Sequence, residues 1–410
     1  MTHRSDVLSK AVDEQAEELL EFLAVTVRCR SVSGDERTVG ELYAAWMERA
    51  GWSVERQALA ASPLAAGEDA GDRVNVIGRP PSNAGNRAVL VLNGHLDVVP
   101  PGAPEQWTTA PFSGERRKGH VHGRGSVDMK GGIAAGLLAI SALERTGTSL
   151  SYDVEVQLVV GEETTGVGTR LAIASSGRPF AAIVLEPTGN AVVPVSTGLQ
   201  FFTVTLTGRA AHTSAPWRGV DAFELLLAVR GAMIRTADER SAAYSHPLFG
   251  GLPTAIPSAA GVIRAGEHRA AVPSTASMSG RYGLAPGESI AQVRQHYLAA
   301  IEEVTSADPW LAEHPPEVLW DNDGLPGWET PPADRLILAL SEAQREVTGD
   351  TGFLAFTAGS DAAAFGAASI PTAIFGPGDV SLAHAPDEQV SEREVVEAAK
   401  VIALALAGLS

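Results

Sequence analysis

The sequence predicts an α/β protein in which a mixed-sheet domain with helices on both faces carries an inserted α+β domain of ferredoxin-like type. Three observations predict it. At 410 residues the chain exceeds what one hydrophobic core usually serves. Short β-rich runs bounded by Gly or Pro alternate with helical periods in the first and last parts of the chain. Between Ser196 and Asp323 the pattern changes to successive strands with two helices. We therefore assign residues 1–195 and 325–410 to the main domain and 196–324 to the insert.

From Asp6 to Val27, the residues Leu8, Val12, Leu19, Leu20, Leu23 and Val27 recur at helical spacing, and a second helical period runs from Glu36 to Ala50 and stops at Gly51. The runs Val74–Ile77, Ala88–Leu92, Val154–Val160 and Ala182–Leu185 read as strands, interrupted by a helix beginning near Gly132. In such sheets ligands bind beyond the carboxyl ends of the strands. The insert reads as strand Gln200–Leu206, helix Val220–Thr236, strands Ala259–Arg264 and Thr275–Gly283, helix Glu288–Thr305 and strand Glu317–Trp320. A helix over Pro332–Val347, a strand Ile370–Phe375 and a last helix Glu392–Leu409 complete the main domain. Ser62–Ala70 and Gly78–Ala84, rich in Ala, Gly and Pro, read as surface loops.

A formal net charge of -18 with no basic run excludes nucleic acid as the natural partner and favours small-molecule chemistry. No uninterrupted apolar stretch reaches the roughly 18 residues that cross a bilayer, so no membrane role is expected. Cys29 has no second cysteine to pair with, and Met1–Ala11 is polar rather than a basic stub with an apolar run. A cytoplasmic location is the expectation.

Acidic and imidazole side chains stand in five phrases: Gly94-His95-Leu96-Asp97, Gly123 through Asp128-Met129-Lys130-Gly131-Gly132, Gly161-Glu162-Glu163, Leu185-Glu186-Pro187 and Ala383-His384-Ala385. Each has a plain structural reading when taken singly: a strand-end histidine, a glycine turn before a helix, a solvated pair of glutamates. Together they predict a hydrolase with two divalent ions, which take imidazole nitrogen and carboxylate oxygen and leave room for water. His95 suits a ligand, and Asp97, two residues on along an extended segment, points to the same side to orient the imidazole. The glycines before Asp128 let its carboxylate turn in between two ions. Neighbouring residues at a strand end point apart, so Glu163 is assigned to metal and Glu162 to the general base. Glu186 follows an apolar run and needs a partner, for which a metal serves; His384 stands in a Gly/Pro-rich loop. A cluster of carboxylates left unpaired inside a fold is expensive, and two cations offset Asp128, Glu163 and Glu186.

These phrases together resemble the acetylornithine deacetylase and succinyl-diaminopimelate desuccinylase family, relatives of aminoacylase and of the carboxypeptidase that cleaves folate glutamate. The resemblance covers nearly the whole chain. It implies two zinc ions per subunit, with cobalt or manganese as substitutes, held by His95, Asp128, Glu163, Glu186 and His384, with Glu162 as base. The insert matches the family through Gly208-Arg209-Ala210-Ala211-His212-Thr213-Ser214-Ala215-Pro216 and Gly219-Val220-Asp221-Ala222, which implies that it is a lid used to dimerise and that His212 supports the oxyanion in a partner's active site. Gly359-Ser360-Asp361 looks like the family's substrate-side glycine loop, which makes Gly359 a substrate contact.

Two departures fall where relatives hold a substrate carboxylate. Ala270 stands where many have asparagine and Gly283 where many have arginine; Arg281, two residues earlier on the same strand face, is the candidate replacement. The implied function is removal of an acyl group, acetyl, succinyl or similar, from a small amino acid or amino-acid-like compound by a homodimer. A dipeptidase or carboxypeptidase of the same build, and a deacylase acting on a specialised biosynthetic intermediate, are the alternatives.

Overall fold

The computed structural model describes residues 2–65, 70–176, 179–320 and 323–410, so residues 66–69 of the predicted Ser62–Ala70 loop lie outside the described residues. The chain forms two compact units: Met1–Pro194 with Glu329–Leu354 and Ser360–Ser410, and Val195–Trp328 with Ala355–Gly359.

The first unit is built on a nine-stranded mixed sheet. From one edge its strands run Ser53–Ala58, Val74–Arg79, Asp153–Val159, Val89–His95, Ala181–Val184 and Thr372–Ile374, and Val192–Ser196, Trp328–Glu329 and Phe353–Phe356 complete it. The two outer strands pair antiparallel. The next four are parallel, with His95 opposite Val159, Asn93 opposite Val184 and Ile374 also opposite Val184. Parallel strands deliver the residues that follow them to one edge of the sheet, and this is what collects the site. Leu90, Val91, Leu92, Ile183 and Val184 are buried, so the central strands are continuous apolar runs without alternation.

The helix Gly131–Thr146 packs with Thr2–Arg28 and Glu392–Gly408. Its start presses so closely on the Leu185 carbonyl that a Cβ at Gly132 would collide with backbone. Ser126–Thr146 is long and apolar enough by composition to cross a bilayer, but 89% of that stretch is buried inside the fold, as befits a core helix.

The second unit follows the order strand, helix, strand, strand, helix, strand. Its antiparallel sheet runs Ala259–Ala265, Thr275–Leu284, Gly198–Thr207, Glu317–Trp320. Helices Ala222–Ala243 and Ile290–Ala307 cover it, burying Val204, Leu206, Leu226, Val229, Tyr282 and Tyr297. This order and connectivity are those of the ferredoxin-like arrangement.

Several elements escaped the sequence pattern, among them the helices Val167–Ser175 and Ala362–Ala367 and the strands Val192–Ser196 and Phe353–Phe356. The edge strand Ser53–Ala58 is mostly exposed and so carries no apolar alternation. The strands Glu115–Arg117, His120–His122 and Gln389–Ser391 are three residues each, too short to show a period, yet they form a separate small sheet. The helix Ala222–Ala243 runs one to two turns past Thr236, through a polar stretch that carries no apolar stripe.

Candidate active site

His95 ends the strand Val89–His95 and is buried. Its Nδ1 lies 2.8 Å from the Asp97 backbone carbonyl, an oxygen that only accepts. A neutral ring therefore presents its lone pair at Nε2, which is 2.9 Å from Asp128 Oδ1 and 3.7 Å from Glu186 Oε1. The other Asp128 oxygen, Oδ2, faces His384 Nε2 at 3.2 Å, and the same nitrogen is 3.2 Å from Glu163 Oε1. One carboxylate thus stands between two imidazoles, an oxygen toward each.

The Asp128 turn is fixed by residues far away in sequence. Glu388 Oε1 accepts the backbone N–H groups of Val127 at 2.9 Å and Asp128 at 3.2 Å. Its other oxygen receives the Arg124 guanidinium, and both side chains are buried. Lys130 Nζ donates to the carbonyls of Thr26 at 2.9 Å and Cys29 at 3.1 Å, tying the turn to the end of the first helix.

Asp97 corrects the sequence reading. Its carbonyl, and not its carboxylate, engages the imidazole; the nearest carboxylate oxygen is 3.9 Å from Nδ1. The carboxylate instead accepts the Ser33 hydroxyl at 2.8 Å and the backbone N–H groups of Gly161 at 2.9 Å, Glu162 at 3.2 Å and Glu163 at 3.2 Å. The turn after the strand, opened by Gly161 at φ 79°, leaves those three donors without a sheet partner, and one carboxylate satisfies them all.

The ligand atoms fall into two groups, each lying mutually within 4.8 Å: His95, Glu162 and Glu186, and His95, Asp128 and Glu163. Burial, with the charge of Asp128 behind it, holds the Glu186 carboxyl well above the usual carboxylate range. Glu162 is raised in the same way, by burial first and then by Glu186, Asp361 and Glu163. Burial opposes a charged His95, but hydrogen bonding to Asp128 and the charge of Glu186 outweigh it and hold the ring well above its ordinary value. Hydrogen bonds to Asp128 and Glu163 push His384 up to about 10. These shifts describe an acidic cluster in which His95 and His384 stand among the carboxylates of Asp128, Glu162, Glu163 and Glu186. A donor set of imidazole nitrogens and carboxylate oxygens with that excess of negative charge fits divalent cations.

Asp361 belongs to this cluster, and the sequence reading missed it. It is buried, accepts the Thr169 hydroxyl at 2.7 Å, and burial pushes its carboxyl up to about 6. Its signal was present in Gly359-Ser360-Asp361, but the glycine drew the assignment. Glu388 and Arg124 were equally silent, because their pairing spans 264 residues of sequence.

The other predicted residues stand in the second unit. His212 lies on an exposed loop, its Nδ1 accepting the Ser214 backbone N–H at 3.1 Å, which leaves the hydrogen of a neutral ring on Nε2. Arg281, half-buried, donates from Nη2 to the Thr357 carbonyl at 2.8 Å. Gly359 is packed so closely that a Cβ there would lie 2.9 Å from Leu325 Cδ1 and 3.1 Å from Leu199 Cδ2.

Comparison with known proteins follows the same lines. The family model described as peptidase family M20/M25/M40 matches residues 91–408. The chain is 25% identical over 419 aligned residues to N-formyl-4-amino-5-aminomethyl-2-methylpyrimidine deformylase of Bacillus subtilis, covering 96% of this chain and 95% of that one. It is 26% identical over 359 residues to acetylornithine deacetylase of Pasteurella multocida, with 87% and 86% covered. Among solved structures, an M20 family metallo-carboxypeptidase from Sulfolobus solfataricus shares the fold, with a TM-score of 0.76 at 17% identity over 96% of this chain and 99% of that one. The chain belongs to peptidase family M20/M25/M40, and with it to the metal-dependent hydrolases of amide C–N bonds.

Proposed function

We propose that this protein removes an N-acyl group from a small amino acid or amino-acid-like amine, using two zinc ions, with cobalt or manganese as alternatives. One observation carries the reading: Asp128 offers one oxygen toward His95 and the other toward His384, with Glu186 beside the first histidine and Glu163 beside the second. His95, Glu186 and Asp128 would hold one ion, and Glu163, His384 and Asp128 the other. Bound there, such cations supply Lewis acidity to the attacking water and the scissile carbonyl.

The chain's own residues do the rest. Glu162 is half-buried, and its turn is pinned through Asp97. A carboxylate held above its usual range is a stronger base, suited to taking a proton from the attacking water and returning it to the nitrogen as the C–N bond breaks. The products are a carboxylic acid and a free amine. His212, with its hydrogen on Nε2, is an N–H donor suited to the oxyanion, contributed by the second subunit of a homodimer. The relatives named deformylase and deacetylase support deacylation, while the relatives named probable carboxypeptidases support the peptidase alternative of the same build. We place the enzyme in the cytoplasm, where the single Cys29 stays reduced.

The test is release of free amine from a panel of N-acetyl, N-formyl and N-succinyl amino acids set against dipeptides, using zinc-loaded enzyme. Deacylation exceeding dipeptide cleavage at least about tenfold in kcat/KM supports the proposal. Faster cleavage of dipeptides, or acyl release undiminished in Glu162→Gln, overturns it.

A further inference from the structure

The helix Val167–Ser175 follows directly on the Gly161–Gly166 turn that carries Glu162 and Glu163, so the seat of its first turn on the sheet sets where those carboxylates stand. Helices of an α/β fold are ordinarily seated on apolar side chains, whose contacts are non-directional. Val167 does reach the main core, but the buried apolar cluster beneath this helix consists of Ile77, Val159 and Ala172. The rest of the seat is made by two fully buried asparagines. Asn75 donates from Nδ2 to the Gly168 carbonyl at 2.8 Å and accepts the Val160 N–H at 3.1 Å, one residue ahead of the turn. Asn93 stands two residues before His95, opposite Gln157 and Val184 in the middle of the sheet, and donates from Nδ2 to Thr169 Oγ1 at 2.9 Å. The fully buried Thr169 hydroxyl in turn donates to Asp361 Oδ2 at 2.7 Å.

We propose that Thr169, with Asn93 behind it, is a positioning residue for the reaction: its hydroxyl locks the helix start, and with it the turn bearing Glu162, against the strand bearing His95. The inference rests on the reading of Glu162 as base and not on which amide is cleaved.

The donor pattern supports it. Asp361 as a carboxylate only accepts, so the one hydroxyl hydrogen of Thr169 goes to it, and a lone pair of the same oxygen takes the Asn93 N–H. Among side chains of this size, only a hydroxyl does both. The surrounding backbone is already at contact distance: a Cβ at Gly168 would lie 2.3 Å from the Val160 carbonyl oxygen, and one at Gly166 would lie 3.4 Å from Asp361 Oδ1. The turn is therefore held at both ends. Asp97 accepts the N–H groups of Gly161, Glu162 and Glu163 at its front, while Asn75 and Thr169 seat its back. Through Asp361 the same hydroxyl fastens the start of the helix Ala362–Ala367. Hydrogen bonds fix distance and direction where apolar contact tolerates sliding, and a misplacement of about 1 Å in a reacting group costs about 100-fold in rate.

Two substitutions separate the hydroxyl from the packing. Thr169→Val keeps the shape and removes the hydroxyl; Thr169→Ser keeps the hydroxyl and removes a methyl group. On whichever N-acyl amino acid or dipeptide zinc-loaded wild type cleaves fastest, Thr169→Val should lower kcat about 10-fold or more, with KM within about threefold and the zinc content of wild type. Thr169→Ser should keep kcat within about threefold even where its melting temperature falls. A residue serving stability alone would give activity that follows melting temperature and not the hydroxyl. Asn93→Ala, which removes the donor to Thr169, stands in if the valine variant does not fold, with a kcat loss of about threefold or more. Hydrogen exchange reads the lock without turnover: amides of Gly161–Arg170 should exchange about 10-fold faster or more in Thr169→Val, while those of Thr275–Leu284 in the second unit keep the wild-type rate. Unchanged exchange, equal kcat in Thr169→Val and wild type, or equal losses in the serine and valine variants overturn the proposal. Faster exchange together with full activity in Glu162→Gln removes the base assignment and leaves the lock standing. Preferred cleavage of dipeptides removes the deacylase reading alone, and if wild type cleaves no compound, the exchange rates decide the lock by themselves.

Discussion

Asp97 Oδ1 accepts the backbone N–H of Glu162 at 3.2 Å, while the carbonyl of the same aspartate accepts from His95 Nδ1 at 2.8 Å. One residue therefore sets the imidazole of a metal-ligand candidate through its main chain and the turn of the candidate base through its side chain. Asp97→Ala should lower kcat about 10- to 100-fold, with a smaller loss in Asp97→Asn, which keeps an acceptor oxygen. Steady-state kinetics on both variants checks it; equal activity of Asp97→Ala and wild type contradicts the pinning.

Glu388 and Arg124 form a fully buried ion pair, and Glu388 also accepts two N–H groups of the Asp128 turn. Removing one partner leaves a buried charge alone, so Glu388→Gln should cost about 3–5 kcal/mol in stability. Urea denaturation measures this, and the double variant with Arg124→Met should cost less than the sum of the two single changes.

The acid limb of the activity profile follows from Glu162, which as a base must be unprotonated. Its pKa is raised, by burial first and then in part by the charge of Asp361. Activity is accordingly lost as pH falls through the Glu162 pKa. Asp361→Asn removes a negative neighbour, lowers the Glu162 pKa and moves the limb to lower pH. A kcat/KM profile over pH 4–8 on both proteins checks the direction, and a limb moving upward contradicts it.

Much of this site was legible in the sequence because the strands that present it are short apolar runs, each followed at once by an acidic or imidazole residue. His95 ends one parallel strand, and Glu162, Glu163 and Glu186 follow its two parallel neighbours at the same edge of the sheet, so strand ends alone brought them together. What the sequence hid depends on pairings between distant segments. Whether Asp97 turns its carbonyl or its carboxylate to His95 is decided by the Gly161–Glu163 turn, some 64 residues on, competing for the carboxylate. The Glu388 brace and the hydrogen bonds of Thr169 likewise exist only once the chain is folded.

Lys130 gives a prediction independent of activity. It is fully buried on two carbonyls, and burial lowers its amine to about 8 from 10.5. The unfolded chain then holds more protons between those values, so stability should rise with pH from about 8 to about 10.5 on this account. Lys130→Met should flatten that rise in urea titrations at pH 7.5, 9 and 10; an identical pH slope in both proteins contradicts it.

The account turns on two cations shared by Asp128. The direct measurement is elemental analysis of zinc-reconstituted protein after gel filtration, comparing wild type, Glu162→Gln and Asp128→Ala. We predict two zinc ions per chain for wild type and for Glu162→Gln, and fewer than one for Asp128→Ala. Wild type that retains no ion, or Asp128→Ala that keeps both, contradicts the account.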